Sequence, residues 1–109
     1  MKLVIAVVQS EDAQRTVAAL AEAGMSSTRI SSSGGFLQQG NVTLLIGVDD
    51  SQVQGGLKII HENCHERSRY LTSVPPFAQP GECLMAYPVE VQVGGATVFV
   101  VPVDSYEKI

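Results

Sequence analysis

Two segments, LVIAVV (3–8) and VTLLIGV (42–48), are short, rich in β-branched residues and apolar at nearly every position. A strand covered on one side alternates apolar and polar residues, whereas a strand without alternation is buried on both faces. Val98 to Val101 have the same character. The chain therefore has to fold into a sheet that is covered on both sides, yet it offers only two helical patterns to cover it. Two helices shield one face of a four-stranded sheet and leave the other bare. The economical solution is association of copies through their sheets in a closed ring. Composition agrees, because hydrophobic residues make up 45% of the 109 residues and charged residues only 17%. A single small domain of that balance buries surface against other subunits.

The helices are read from capping and periodicity. Ser10 offers an N-cap, Glu11 and Asp12 stand in the first turn where the helix dipole favours anions, and Ala13, Val17, Leu20 and Ala21 follow at helical spacing up to Gly24. Asp50 or Ser51 caps a second helix with the apolar stripe Val53, Leu57, Ile60 and Cys64. A strand is expected at roughly 26–32, a short loop at about 33–40, and the next strand at 42–48. The segments VQSEDA (8–13) and VDDSQV (48–53) echo one another, since each leaves a strand, caps a helix and starts its stripe. A doubled β-α-β unit is what an α+β, ferredoxin-like βαββαβ fold requires, with a four-stranded antiparallel sheet and two helices in one domain over 1–109. After the second helix a long loop is expected at about 68–86, where Pro75, Pro76, Pro80 and Gly81 stand and no period survives. VEVQVGGATVFVVPV (89–103) closes the chain, its alternation broken at Gly94-Gly95 by a bulge or bend.

The net charge is −4, from eleven acids against seven basic residues (Lys2, Arg15, Arg29, Lys58, Arg67, Arg69, Lys108) that form no run. Without a basic stripe there is no nucleic-acid footprint. The apolar run after Met1 is too short to span a membrane and is followed at once by acids, so it reads as a buried first strand and no membrane partner is expected. Cys64 and Cys83 make no disulfide framework, which suits a cytoplasmic protein with reduced thiols. Residues 61–65, HENCH, match the H-E-x-x-H pattern of zinc peptidases. Zinc needs a third ligand, His61 and His65 are the only histidines, and Cys64 falls on the apolar stripe. The expectation is two solvated histidines flanking a buried thiol, with no metal, no cofactor and no catalytic residue. A zinc metallopeptidase is the alternative of another class.

The chemistry concentrates in TRISSSGGFLQQGNVTLLIG (28–47). A Gly-Gly pair lets backbone amides approach a ligand closely, and amides hold phosphate without any lysine. Phe36 is an aromatic in a polar loop, suited to cover a purine ring, and Asn41 can both donate to and accept from a base edge. Thr28 lies on the strand entering the loop and Gly47 on the strand leaving it. The same residues also suit a β-hairpin whose Phe packs on a neighbouring subunit.

GGFLQQGN (34–41) together with YPVEVQVGGATVFVVPVD (87–104) resembles the PII-like cyclic di-AMP receptor family of bacteria, and the resemblance covers essentially the whole chain. It implies a trimer of ferredoxin-like subunits that binds cyclic di-AMP at the three clefts between neighbours, a signalling rather than catalytic role, and a downstream protein partner of unknown identity. It also implies that Thr28 and Asn41 hydrogen-bond adenine, that Phe36 and Leu37 pack on a base, and that backbone amides near Gly35 and Gly47 approach the ligand. Two positions depart from the family pattern. Ser26 stands where relatives carry an arginine, leaving Arg29 or a residue of the long loop to replace the cation. Lys108 stands where a glutamine often reaches the ligand, and a lysine still meets phosphate as a point charge. A sensor of another adenine nucleotide is the leading alternative.

Overall fold

A computed structural model describes residues 1–30, 40–73 and 87–109 of the chain. The elements in order are β1 (Lys2–Gln9), α1 (Ser10–Glu22), β2 (Ser27–Ile30), β3 (Asn41–Val48), a 3-10 turn (Asp50–Gln52), α2 (Val53–Cys64), β4 (Arg67–Ser73), β5 (Tyr87–Val93) and β6 (Ala96–Pro102). Strands β2, β3, β1 and β6 form, in that spatial order, one antiparallel sheet, and β4 pairs with β5 in a separate two-stranded ribbon. Without the ribbon the order is βαββαβ, a ferredoxin-like arrangement.

Both helices lie on one face of the sheet, α1 over β1 and β3 and α2 over β1 and β6. Val4, Ala6 and Val8 of β1 and Val42, Leu44, Ile46 and Val48 of β3 point under them and are buried, packed with Ala13, Leu20, Met25, Ile60 and Cys64. Val53 and Leu57 complete the expected stripe of α2 in partly buried positions. Leu44 and Leu20 are wholly inaccessible, and burying a leucine side chain contributes about 1.5–3 kcal/mol each.

Four local expectations change. Ser10 is the first residue of α1 rather than its cap, and Gln9, in extended conformation, holds the N-cap position. The Ser10 N–H is instead satisfied by the Gly40 carbonyl at 2.6 Å. For the second helix, Asp49 precedes the 3-10 turn and its N–H donates to Gln52 Oε1 at 3.0 Å, so the cap lies one residue before Asp50. The long loop expected at about 68–86 begins as strand, because 67–73 pairs with 87–93 from Arg67↔Val93 to Ser73↔Tyr87; residues 74–86 lie outside the described residues. Gly94 and Gly95, at φ +84° and +83°, do more than bend one closing strand. They separate β5, in the ribbon, from β6, in the sheet.

The root of the ribbon is clamped. Arg67 Nη2 donates to Asp12 Oδ1 at 2.8 Å and meets Glu11 Oε1 at 3.5 Å, while Arg67 Nη1 reaches the His65 carbonyl at 3.2 Å. Arg15 Nη2 donates to the same Asp12 oxygen at 2.8 Å and to the Asn63 carbonyl at 2.6 Å. The Asp12 side chain is fully buried. Burial alone raises its pKa, but the Arg67 hydrogen bond and charge, joined by Arg15, outweigh it and hold the carboxyl below the usual aspartate value. The Gly95 N–H donates to the Cys64 carbonyl, closing the two ends of the ribbon against one another.

Candidate functional site

The register sorts the uncovered face of the sheet into rows. Gln9 of β1 faces Asn41 of β3 at one end. The next row holds Val7, Thr43, Ile30 and Thr97, and the third holds Ile5, Leu45, Thr28 and Phe99. Leu3, Gly47 and Val101 make the last. Three of the sequence-predicted ligand residues, Thr28, Asn41 and Gly47, therefore share one face, the face without helices. Strand alternation dictates this, since each lies an even number of residues, or a cross-strand pairing, from the next.

The face is apolar at its centre and polar at the Asn41 end. Ile30 is 41% exposed and Phe99 55%, more than large apolar side chains in a finished core. At the polar end, Gln9, Asn41, Thr97, Glu66, Gly94 and Gly95 line a cavity of about 380 Å³. Gln9 Oε1 accepts the Gly94 N–H at 2.7 Å. Asn41 is half-buried and Thr28 exposed on this face.

Thr28 and Asn41 are not brought together within one chain. Four residues along β3 at about 3.4 Å each, plus one strand spacing, put their backbones roughly 14 Å apart. No single purine touches both. Gly47 lies still further along, exposed, and a Cβ there would stand 3.4 Å from the Met1 methyl. Ser26 and Lys108 are exposed. Arg29 pairs with Leu44, so it lies on the helix-covered face, opposite to that of Thr28. Gly35, Phe36 and Leu37 lie outside the described residues. Sequence reasoning read Gly94-Gly95 only as a bulge or bend and did not single out Gln9. The signal for Gln9 was its place as the one polar residue ending an apolar strand.

HENCH occupies a different place. Cys64 is buried and ends α2, His65 follows in extended backbone, and both His61 and His65 are exposed. The arrangement of flanking histidines and inward thiol is as expected. Thr16 donates its single hydroxyl proton to the Asp12 carbonyl at 2.8 Å, so the contact of 3.1 Å to Cys64 Sγ is a thiol donating to Thr16 Oγ1. Burial pushes the Cys64 thiol pKa up. Among the described residues no three metal-ligating side chains converge. The histidines edge a larger cleft of about 580 Å³ between α2 and β6, lined by Leu57, Ile60 and Val98, and none of the predicted ligand residues borders it.

The fold and this face define a class: an α+β, ferredoxin-like chain with a polar subsite at the end of a bare sheet face, and no helix among the described residues long and apolar enough to cross a membrane. Over residues 1–109 the chain matches the cyclic-di-AMP receptor family, and it belongs to that PII-like family. It is also similar to the crystal structure of a functionally unknown protein from Pediococcus pentosaceus, at 40% identity and a TM-score of 0.76, over 99% of this chain and 96% of the other.

Proposed function

We propose that this chain is a cytoplasmic signal-transduction sensor of cyclic di-AMP, without catalytic activity, that works as a homotrimer of single 109-residue domains. The observation that carries the reading is the bare sheet face. An apolar patch built of Ile5, Leu45, Ile30 and Phe99 asks for another sheet, and copies of the same chain supply one at no cost in new sequence. The clefts between such copies would hold the ligand, as the family implies. A ligand with two adenines suits two hydrogen-bonding stations separated by roughly 14 Å better than a mononucleotide does. Phe36 and Leu37 would cover a base, and amides near Gly35 and Gly47 would approach the phosphates, as the family implies. Binding alters the loop at 33–40 and the segment beyond β4, and a protein partner reads the changed surface.

Calorimetry of purified protein against cyclic di-AMP, cyclic di-GMP, ATP and AMP tests this directly. Saturable binding of cyclic di-AMP in preference to the others is expected. Tight binding of ATP or AMP instead would shift the function to sensing another adenine nucleotide. Binding of none would remove the sensor reading.

A further inference from the structure

We infer that Gln9 is a ligand-contacting residue of the Asn41 cavity, which takes the edge of a nucleobase, and that the same side chain ties occupancy of that cavity to the root of the β4–β5 ribbon. The inference rests on the proposed nucleotide site and deepens it.

Three observations carry it. Gln9 and Asn41 are directly opposed across β1 and β3, on the same face. Their Cβ atoms are therefore about 5 Å apart. Both line one cavity of about 380 Å³, so a group that reaches the Asn41 amide also reaches the Gln9 amide. The second observation fixes which end of Gln9 is offered. Of the two ends of a glutamine amide only the oxygen accepts, so the 2.7 Å contact from the Gly94 N–H commits Oε1 and turns the Nε2 amine elsewhere. Among the described residues no acceptor meets that amine. The cavity thus presents a fixed donor from Gln9 and an adaptable donor–acceptor pair from Asn41. The third is charge. Glu66 lines the cavity, and among the described residues lining it there is no cation. A phosphate would face a carboxylate there. A heterocycle edge, with ring nitrogens accepting and an exocyclic amine donating, matches the donors and acceptors on hand. The cavity is a base subsite.

The coupling follows from Gly94. It is the first residue after β5, at φ +84°, and its neighbour Gly95 bonds back to the end of α2. The ribbon root is held by Arg67 on one side and by the Gln9–Gly94 bond on the other. Only the second of these lies in the cavity. A base that draws on the Gln9 amine keeps Oε1 aimed at Gly94 and firms that bond, so the filled site stiffens the ribbon.

Two variants separate contact from support. Gln9→Glu keeps an oxygen for the Gly94 N–H but replaces the donor with an acceptor. Gln9→Met removes both. Each is titrated with cyclic di-AMP, while exchange of the Gly94 amide is followed by NMR in the unliganded protein. Gln9→Glu should retain Gly94 protection and bind roughly five- to a hundred-fold more weakly, the penalty for an unmet buried donor or acceptor. Gln9→Met should lose both protection and affinity. In the parent, ligand should slow Gly94 exchange further. If Gln9→Glu binds like the parent, Gln9 is a strut and no ligand residue, and the inference fails while the nucleotide site stands. If Gly94 exchange ignores both the ligand and Gln9→Met, the coupling fails. A parent that binds no cyclic di-AMP overturns the site and this inference together, before any variant is made.

Discussion

Asn41 shows how a single side chain gains meaning from its row. In the sequence it was a polar residue heading an apolar strand; in the fold it has a paired amide at its side, a glycine turn above it and a cavity in front. Truncating it leaves a bound base edge unpaired, so Asn41→Ala should weaken cyclic di-AMP binding by roughly five- to a hundred-fold, measured by calorimetry with assembly checked separately. Ser26→Arg should act in the opposite direction, since it supplies the cation that relatives carry at that position, and the register puts Arg29 on the face opposite to that of Thr28. Equal affinity in both variants and the parent would move the ligand away from this face. Thr28, Asn41 and Gly47 were legible as candidates because glycine, hydroxyl and amide chemistry stands out beside apolar strands. Their separation was not, because distance along a strand becomes distance across a site only when the pairing register is known. The contact that Gln9 makes was hidden for a related reason. Its partner, Gly94, is remote in sequence, and only the closed sheet brings them together.

Elements differed in how plainly they were written. β1, β3 and the two helices carry their period in apolar residues, because each packs against a core that demands it. β4, RSRYLTS, has no such pattern. A ribbon of two strands encloses no interior, so no face of it has to be apolar, and the strand is specified by its partner rather than by itself. Pro88 within β5 also reads against a strand, yet a strand with one neighbour tolerates it. What fixes the ribbon is its root. A Cβ at Gly94 would collide with the His65 carbonyl oxygen and Arg67 Nη1, and the left-handed backbone there adds strain. Gly94→Ala should therefore displace the root and lower stability by about 1–3 kcal/mol in urea unfolding, whereas Gly24→Ala, equally left-handed but open, pays only the backbone term. The Asp12 clamp adds a pH signature. Its carboxyl has a pKa depressed in the folded chain, so the stability it contributes is complete above the unfolded value near 3.9 and is lost as pH falls through the folded one. Urea midpoints should decline from about pH 4 downward. Asp12→Asn should start lower and decline less steeply, and an unchanged slope would show that other carboxylates set the acid limit.

For the whole molecule, the expectation that the sheet has one face too many is met by the position of both helices on the same side. That leaves Phe99 and Ile30 in the open on the other. Light scattering in dilute buffer should return three times the 11.6 kDa chain mass. A stable monomer would remove the trimer and, with it, any cleft between subunits. Phe99→Glu, a charge placed on that face, should shift the mass toward the monomer while leaving the helix-covered core folded. The bond from Gly95 to the end of α2 has a consequence for how such a chain comes to exist. It sets the two ends of the ribbon, residues 67–93, side by side, so the exit of this segment lies next to its entrance. Excising it and splicing Glu66 to Gly94 spans almost no gap and closes no long loop, and the shortened βαββαβ chain should still fold, with Arg15 left as the sole cation on Asp12. A module that can be removed without reopening the core is equally free to lengthen, shorten or change its sequence among descendants of one ancestor. The ribbon can then diverge while the four-stranded sheet stays as it is.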